Sequence, residues 1–223
     1  YTHYRHVNTA AARELYSSGD IRILMVDIGW LWVIPLIDNR LSVGLVVQQP
    51  VDPSRRGAAL FEKYRAASGI LTALLAGAEQ ETPVQAEADF SYTNTRRHGA
   101  RYACCGDAAG FLDPIFSSGV FLAVTGAERV ADRLHPALVA ETEGDPGLHT
   151  ADDDHYTLGF RSMQLFVERY YQHDMVHHLF FAADRSEAIR NDITTLLSGD
   201  LWGGDNEFQR LLLAGRQNRQ PQR

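Results

Sequence analysis

Residues 106–119 read GDAAGFLDPIFSSG, and this stretch decides how the chain is interpreted. It follows a short β-prone run, Arg101 to Cys105, and precedes a helical run from about Val120 to Leu134. The helical run places its apolar residues on one face, as a helix packed against a core does. The sequence therefore predicts a strand, a glycine-rich turn that contains proline, and then a helix.

The predicted turn has the chemistry of a ligand site. Asp107, at the predicted strand end, is a fixed carboxylate that can accept hydrogen bonds from hydroxyl groups. The small residues 108–110 allow a ligand to approach the backbone closely. The amide groups of residues 118–120 lie at the helix start, where unpaired N–H groups and the helix dipole favour negative charge. The alternative interpretation is an ordinary strand, turn and helix in which glycine only permits tight turns.

A second informative stretch is WLWVIP, at residues 30–35. On a strand, Trp30 and Trp32 project to the same face because side chains alternate. Together they form a flat apolar wall that can keep a phenol-sized molecule away from a reactive group. The alternative is that both indoles fill a core.

Strand-like patterns surround this second stretch. Residues 21–26, 29–37 and 41–47 are rich in apolar and β-branched residues, and Asp38-Asn39-Arg40 is typical of a hairpin turn. We therefore predict two or three antiparallel strands. Residues 86–95 also read as extended.

Helical patterns occupy much of the remaining chain. Apolar spacing predicts one or two helices within residues 57–77. The same spacing predicts helices over residues 156–183, 186–197 and 205–214. Residues 136–154 are acidic and contain glycine and proline, so we expect a loop or a short broken helix there.

Composition disfavours several classes of protein. Hydrophobic residues make up 45% and charged residues 22% of the 223 residues, as in soluble globular proteins. The 21 Lys and Arg are outnumbered by 28 Asp and Glu, and the net charge of −7 disfavours a nucleic-acid-binding protein. The most apolar run, residues 29–37, is far shorter than the roughly 20 residues that span a membrane. Cys104 and Cys105 are adjacent, which favours reduced thiols and a cytoplasmic location.

The two informative stretches together resemble flavin-dependent halogenases, in particular those acting on phenols and carrier-bound pyrroles. The family pattern Phe-x-x-Pro-x-x-Ser-x-Gly is matched by Phe111, Pro114, Ser117 and Gly119. The family signature Trp-x-Trp-x-Ile-Pro is matched by Trp30, Trp32, Ile34 and Pro35. The resemblance extends roughly from Tyr4 to Phe208 but is specific only in these two windows.

The resemblance implies an α/β (α+β) fold, as part of a two-dinucleotide-binding-type FAD monooxygenase. Residues 1–85 would form a substrate-side antiparallel sheet with helices, residues 86–135 a returning segment of the FAD-binding domain, and residues 136–223 a carboxyl-terminal helical region. It assigns the FAD site to Gly106, Asp107, Ala108, Gly110, Pro114, Ser117, Ser118, Gly119 and Val120. It assigns the halide site to the backbone amides of Ser118 and Gly119, and a barrier role to the Trp-x-Trp-x-Ile-Pro residues.

The resemblance also implies a mechanism and partners. FAD, reduced by a separate flavin reductase, reacts with O2 to give a flavin hydroperoxide, which oxidises chloride or bromide to hypohalous acid. The acid then halogenates an aromatic natural-product intermediate, phenolic or pyrrole-like, that is free or bound to a carrier protein. No nucleic acid or membrane partner is expected.

Two elements of the family pattern are not found in the sequence. The Gly-x-Gly-x-x-Gly turn that grips the FAD pyrophosphate does not occur in these residues. The family's catalytic lysine precedes the Trp-x-Trp motif, whereas Lys63, the only lysine here, follows it. We therefore expect the chain to begin within a longer protein and to be inactive alone.

Two alternative functions stay open at the level of sequence. Aromatic hydroxylases and alkene (isoprenoid) reductases share the Gly-Asp-Ala-Ala opening, although they usually carry Gly-x-Gly where this chain has Ser-Ser-Gly. An FAD-dependent hydroxylase or alkene reductase of the same fold is one alternative. A noncatalytic fragment that packs against a partner is the other.

Three weaker signals are interpreted as structural. No third-ligand motif accompanies His173, His177 and His178, so we expect no metal site. The acidic run of residues 152–154 is expected to be a solvated loop or a helix cap. Aromatic residues near the carboxyl end are expected in a core, with a substrate cavity as the alternative; they are Phe160, Phe166, Tyr170, Tyr171, Phe180 and Phe181.

Overall fold

The computed structural model describes residues 1–48, 57–172 and 187–214. The chain divides into two compact units, Tyr1–Ala88 and Asp89–Arg223, and each unit has its own hydrophobic core. Helices and antiparallel sheet occur together, which confirms the predicted α/β (α+β) class. The assignment of domains at residues 1–85, 86–135 and 136–223 stays a prediction.

The first unit is built on a five-stranded sheet in which all paired strands are antiparallel. Its strands follow the spatial order β2-β3-β4-β1-β5. They are β1 (Thr2–Arg5), β2 (Arg22–Val26), β3 (Gly29–Leu36), β4 (Arg40–Val47) and β5 (Glu79–Gln80). The predicted hairpin is confirmed, because Asp38 and Asn39 turn the chain between β3 and β4 with φ angles of 60° and 55°.

Three helices complete the first unit: α1 (Ala10–Ser18), α2 (Ala58–Ala67) and α3 (Gly69–Leu74). Helix α1 begins at a side-chain cap, since the Thr9 hydroxyl accepts a hydrogen bond from the Ala12 amide at 3.2 Å. It ends at Gly19, whose φ of 70° suits glycine. The core combines residues of the helices with residues of the sheet: Leu15, Phe61, Leu71, Leu31, Val33, Leu41 and Val43.

The two tryptophans lie on the same face of β3, as alternation predicts. Trp30 is 1% exposed, and its ring centroid lies 6.1 Å from that of Trp32. The Trp32 indole N–H donates to the Ser42 hydroxyl at 3.1 Å. Gly44 lies directly opposite Trp32 on β4, and a Cβ there would lie 2.2 Å from the indole ring. Glycine at residue 44 therefore makes room for the indole.

The second unit is mostly helical, with two short antiparallel strand pairs. Strand β6 (Tyr92–Thr93) pairs with β9 (Gly110–Phe111), and β7 (His98–Gly99) pairs with β8 (Tyr102–Ala103). The helices are α4 (Ser118–Val139), α5 (Thr150–Tyr171), α6 (Glu187–Leu197) and α7 (Glu207–Ala214). Two 3₁₀ turns, Gly106–Ala108 and Pro114–Phe116, precede α4.

Helix α4 is longer than the sequence predicted. It begins at Ser118 and continues through Pro136 to Val139, so the loop predicted over residues 136–154 is wrong at both ends. Packing explains why the helix continues through Pro136. Ala137, the next residue, is buried, and its burial keeps the last turn helical although proline has no N–H to donate. Helix α5 starts at Thr150 and ends at Tyr171, and residues 173–186 of the predicted long helix lie outside the described residues.

Candidate functional site

A cavity of about 360 Å³ lies in the second unit at the start of α4. Most of the residues that we predicted from the sequence to bind a ligand lie in the wall of this cavity. They are Gly106, Asp107, Gly110, Pro114, Ser117, Ser118, Gly119 and Val120. Ala108 is exposed and does not line the cavity. The volume lies within the range of small-molecule sites, about 300–1,000 Å³.

The first 3₁₀ turn forms one side of the cavity. Gly106 has a φ of 57°, and a Cβ there would lie 3.2 Å from the Cβ of Ala123 on α4. Glycine therefore lets the turn pack closely on the helix. Asp107 was expected at a strand end but lies within this turn, because β8 is only two residues long and ends at Ala103.

The second 3₁₀ turn leads directly into α4. The Asp113 carboxylate accepts a hydrogen bond from the Ile115 amide at 2.9 Å, and Pro114 occupies the first position of the turn. Ser117 has a φ of 52°, and its amide donates to the Pro114 carbonyl at 3.1 Å. This left-handed residue turns the chain so that α4 begins at Ser118.

The start of α4 has no side-chain cap. Its first three residues, 118–120, line the cavity, and Ser118 is only 8% exposed. The positive end of a 22-residue helix and unpaired N–H groups together favour an anion at this point. Apolar walls complete the cavity, formed by Phe111, Leu112, Leu122 and Phe160.

Sequence reasoning missed Asp113 as a candidate site residue. Asp113 lines the cavity, and its second carboxylate oxygen accepts a hydrogen bond from the Tyr171 hydroxyl at 2.8 Å. Burial raises the pKa of Asp113, while the hydrogen bonds from Ile115 and Tyr171 oppose that rise. An Asp immediately before a Pro is a turn-starting pattern, and this signal could have identified the residue.

Phe160 was expected in a core, with a substrate cavity as the alternative. It belongs to the core of the second unit and lines the cavity as well. Its ring lies 3.1 Å from the position that a Cβ of Gly110 would occupy. The close fit explains why glycine stands at residue 110.

A cluster of charged side chains lies between α4 and the start of α5. Asp152 was expected in a solvated loop or a helix cap. It lies in the first turn of α5, in contact with the cap residue, and is 6% exposed because α5 presents it to α4. Its carboxylate accepts hydrogen bonds from the Arg133 guanidinium at 2.8 Å and from His149 at 3.0 Å. Burial raises the pKa of the neighbouring Cys105, as do the adjacent Cys104 and the charge of Asp152.

Within residues 1–48, 57–172 and 187–214, no three metal-ligating side chains come together. The histidines at residues 173, 177 and 178 lie outside the described residues. No helix in that same part of the chain combines the length and hydrophobicity needed to cross a bilayer.

The model of the tryptophan halogenase family matches residues 9–206. The chain belongs to the tryptophan halogenase family. The resemblance found in the sequence is therefore confirmed.

Two curated relatives of this halogenase chain come from bacteria. The 1H-pyrrole-2-carbonyl-[peptidyl-carrier protein] chlorinase of Pseudomonas fluorescens is 32% identical over 82% of the chain. The tryptophan 2-halogenase of Chondromyces crocatus is 31% identical over 60% of the chain. The chain spans 40% and 27%, respectively, of the lengths of these two proteins.

Solved structures share the fold of this halogenase chain. The flavin-dependent brominase Bmp2 matches 97% of the chain with a TM-score of 0.77 and 22% identity, over 54% of its own length. The myxobacterial chondrochloren halogenase CndH matches 96% of the chain with a TM-score of 0.66 and 23% identity, also over 54% of its length. These likenesses confirm that the chain has part of the fold expected from the resemblance.

Proposed function

We propose that this chain is the part of an FAD-dependent halogenase that holds the flavin ring edge and the halide. The substrate that we propose is a phenolic or pyrrole-like intermediate of natural-product synthesis, free or carried on a peptidyl-carrier protein. The name of the Pseudomonas relative, a chlorinase of a carrier-bound pyrrole, supports that substrate class.

One observation carries the proposal, namely the uncapped start of α4 in a cavity of small-molecule size. The donor set fits reduced flavin, because the N1–C2 carbonyl edge becomes anionic on reduction and benefits from helix N–H groups. Gly106 and Gly110 let the turn pack closely on Ala123 and Phe160, and this packing shapes the wall of the cavity. When bound and reduced by a separate flavin reductase, FAD supplies the activation of O2 that converts chloride or bromide to hypohalous acid.

The residues of the chain have distinct proposed parts. The residues that line the cavity, together with the adjacent Ala108, orient the flavin. The backbone amides of Ser118 and Gly119 hold the halide without offering it a titratable proton. Trp30, Trp32, Ile34 and Pro35 form the apolar barrier that denies substrate direct access to the reactive cofactor. Lys63 is exposed on α2, with its ammonium 5.2 Å from the Tyr64 ring centroid, and we assign it no catalytic part.

The reaction assay decides between halogenation and the alternatives. Protein expressed from its complete reading frame is supplied with reduced FAD, O2, chloride and a phenol or carrier-bound pyrrole. We expect a product whose mass increases by the exchange of one hydrogen for chlorine, only when chloride is present. Gain of one oxygen without chlorination would indicate a hydroxylase, and protein that stays colourless with FAD would indicate a noncatalytic fragment.

Val120→Asp is expected to weaken chloride binding about tenfold without lowering stability. Val120 lines the cavity but is 76% exposed, so the substitution leaves the core intact. The new carboxylate repels a halide, whereas in the first turn it interacts favourably with the helix dipole. Chloride titrations and thermal melts measure the two effects.

Val120→Asn is the matched control, since it has nearly the same shape as the aspartate variant and no charge. We expect its chloride Kd to stay within about twofold of the wild-type value, because the uncharged amide does not repel the halide as the carboxylate does. Equal chloride Kd values for the two variants would contradict an anion site at the start of α4.

A further inference from the structure

We infer that Tyr171 is a positioning residue for this site: it holds the carboxylate of Asp113 away from the amide groups at the start of α4, which stay available for a halide. The inference rests on the proposed function of those amides. It adds a part for the carboxyl end of α5, about 50 residues further along the chain.

The cavity at the start of α4 is lined by a residue whose side chain is negatively charged. Asp113 lines the same cavity as Ser118 and Gly119. Asp is among the residues that cap helices most strongly, by accepting hydrogen bonds from amides of the first turn. A mobile Asp113 carboxylate would therefore compete with an added anion for the amides of α4.

Two hydrogen bonds hold the Asp113 carboxylate in place. One carboxylate oxygen accepts from the Ile115 amide at 2.9 Å, within the turn itself. The other accepts from the Tyr171 hydroxyl at 2.8 Å, which ties it to α5. Both oxygens thus have donors, while α4 is left without a side-chain cap.

Aromatic contacts hold the turn that contains Asp113 against the end of α5, which carries the donor Tyr171. Phe116, in the same turn, stacks on Phe166 with ring centroids 4.3 Å apart and meets the edge of Tyr170 at 5.3 Å. These apolar contacts fix the turn against the last turns of α5, where Tyr171 lies. The apolar contacts bring the Tyr171 hydroxyl close to the Asp113 carboxylate but are not directional. The hydrogen bond between these two groups sets the direction in which the carboxylate points.

The Ser118 hydroxyl is a further polar group at the start of α4. Ser118 is 8% exposed and lines the cavity, and its hydroxyl makes no hydrogen bond to any described residue. The hydroxyl oxygen is not among the buried side-chain atoms that lack a partner, so it stays accessible to a ligand that enters the cavity. An exogenous ligand that takes up this hydroxyl and the adjacent amides would satisfy them, provided that Asp113 is kept away.

The test uses protein expressed from its complete reading frame and loaded with FAD. Chloride and bromide Kd values are measured by titration of the flavin absorbance band and by the halide-dependent rise in melting temperature. We expect Tyr171→Phe to raise the halide Kd about fivefold, as loss of one hydrogen bond to a charged group allows, with the FAD Kd within about twofold of wild type. Tyr102→Phe is the matched control, because this half-exposed hydroxyl makes no hydrogen bond to a described residue.

The double variant Tyr171→Phe with Asp113→Asn separates competition from general loosening of the turn. We expect the neutral amide to restore the halide Kd to within about twofold of wild type, because the competing charge is gone. Asp113→Asn alone should bind halide at least as tightly as wild type, which tests the idea even if the tyrosine variant does not fold. An unchanged Kd in Tyr171→Phe, a double variant as weak as the single one, or a weaker Asp113→Asn would each overturn the inference. Wild-type protein that binds FAD but no halide would instead overturn the proposed function.

Discussion

Replacing Phe166 by alanine is expected to lower the free energy of unfolding by about 3–5 kcal/mol. Phe166 is 1% exposed and lies at the centre of the core of the second unit. Its ring stacks on Phe116 at 4.3 Å and meets Phe208 edge to face at 5.3 Å. Removing the ring deletes both contacts and leaves a cavity that the surrounding helices can fill only in part.

Chemical denaturation followed by circular dichroism measures this effect. Phe166→Leu retains most of the apolar volume and is expected to cost about 1–1.5 kcal/mol. Leu211→Ala, at a site on α7 that is exposed, is expected to change stability by less than about 0.5 kcal/mol. If the alanine variant at 166 were no less stable than the one at 211, the described core would be wrong.

Asp152→Asn is expected to lower the free energy of unfolding by about 2–3 kcal/mol at neutral pH. The buried carboxylate accepts hydrogen bonds from Arg133 and His149, and the Arg129 guanidinium lies 3.8 Å away. The amide that replaces it carries no charge and leaves these donors with a poorer partner. Because both arginines are partly exposed, solvent limits the loss.

The same variant is expected to change how stability depends on pH. Burial of Asp152 acts to raise its pKa, but the hydrogen bonds from Arg133 and His149 outweigh burial, and the pKa is lowered. A carboxyl group with a lower pKa in the folded state contributes stability above its unfolded-state pKa, about 3.9, and loses it as pH falls through the folded-state pKa. Wild type should therefore lose stability in acid more steeply than Asp152→Asn.

Asp154→Asn is the matched control for both effects. The same substitution is made two residues away on α5, at an exposed side chain. Its stability is expected to stay within about 0.5 kcal/mol of wild type, with the wild-type acid dependence. Urea unfolding over a series of pH values compares the three proteins, and identical curves for the two variants would rule out a structural role for the Asp152 cluster.

The sequence predicted those features that are contiguous along the chain. The hairpin at Asp38 and Asn39 is local, because two adjacent residues supply the left-handed φ angles that it needs. The glycine-rich turn is also local, and all but one of the residues proposed for the FAD site within 106–120 line the cavity at the start of α4. Its chemical role, by contrast, stays a proposal.

The features that the sequence did not predict depend on distant residues. Phe160 and Tyr171 approach the turn from α5, and no local spacing reports that contact. Strand β1 forms by pairing with two distant strands, β4 and β5, which lie about 40 and 75 residues away along the chain. At Pro136 the local rule was misleading, because the burial of Ala137 outweighs the helix-breaking tendency of proline.

The close approach of Trp32 to Gly44 implies that these two positions cannot vary independently. The indole fills the space in which any larger residue at 44 would place its Cβ. A side chain at 44 is thus compatible only with a smaller residue at 32, so the two substitutions couple strongly. A library that randomises both positions together would recover folded proteins that single-site scanning discards, including variants with a reshaped aromatic wall.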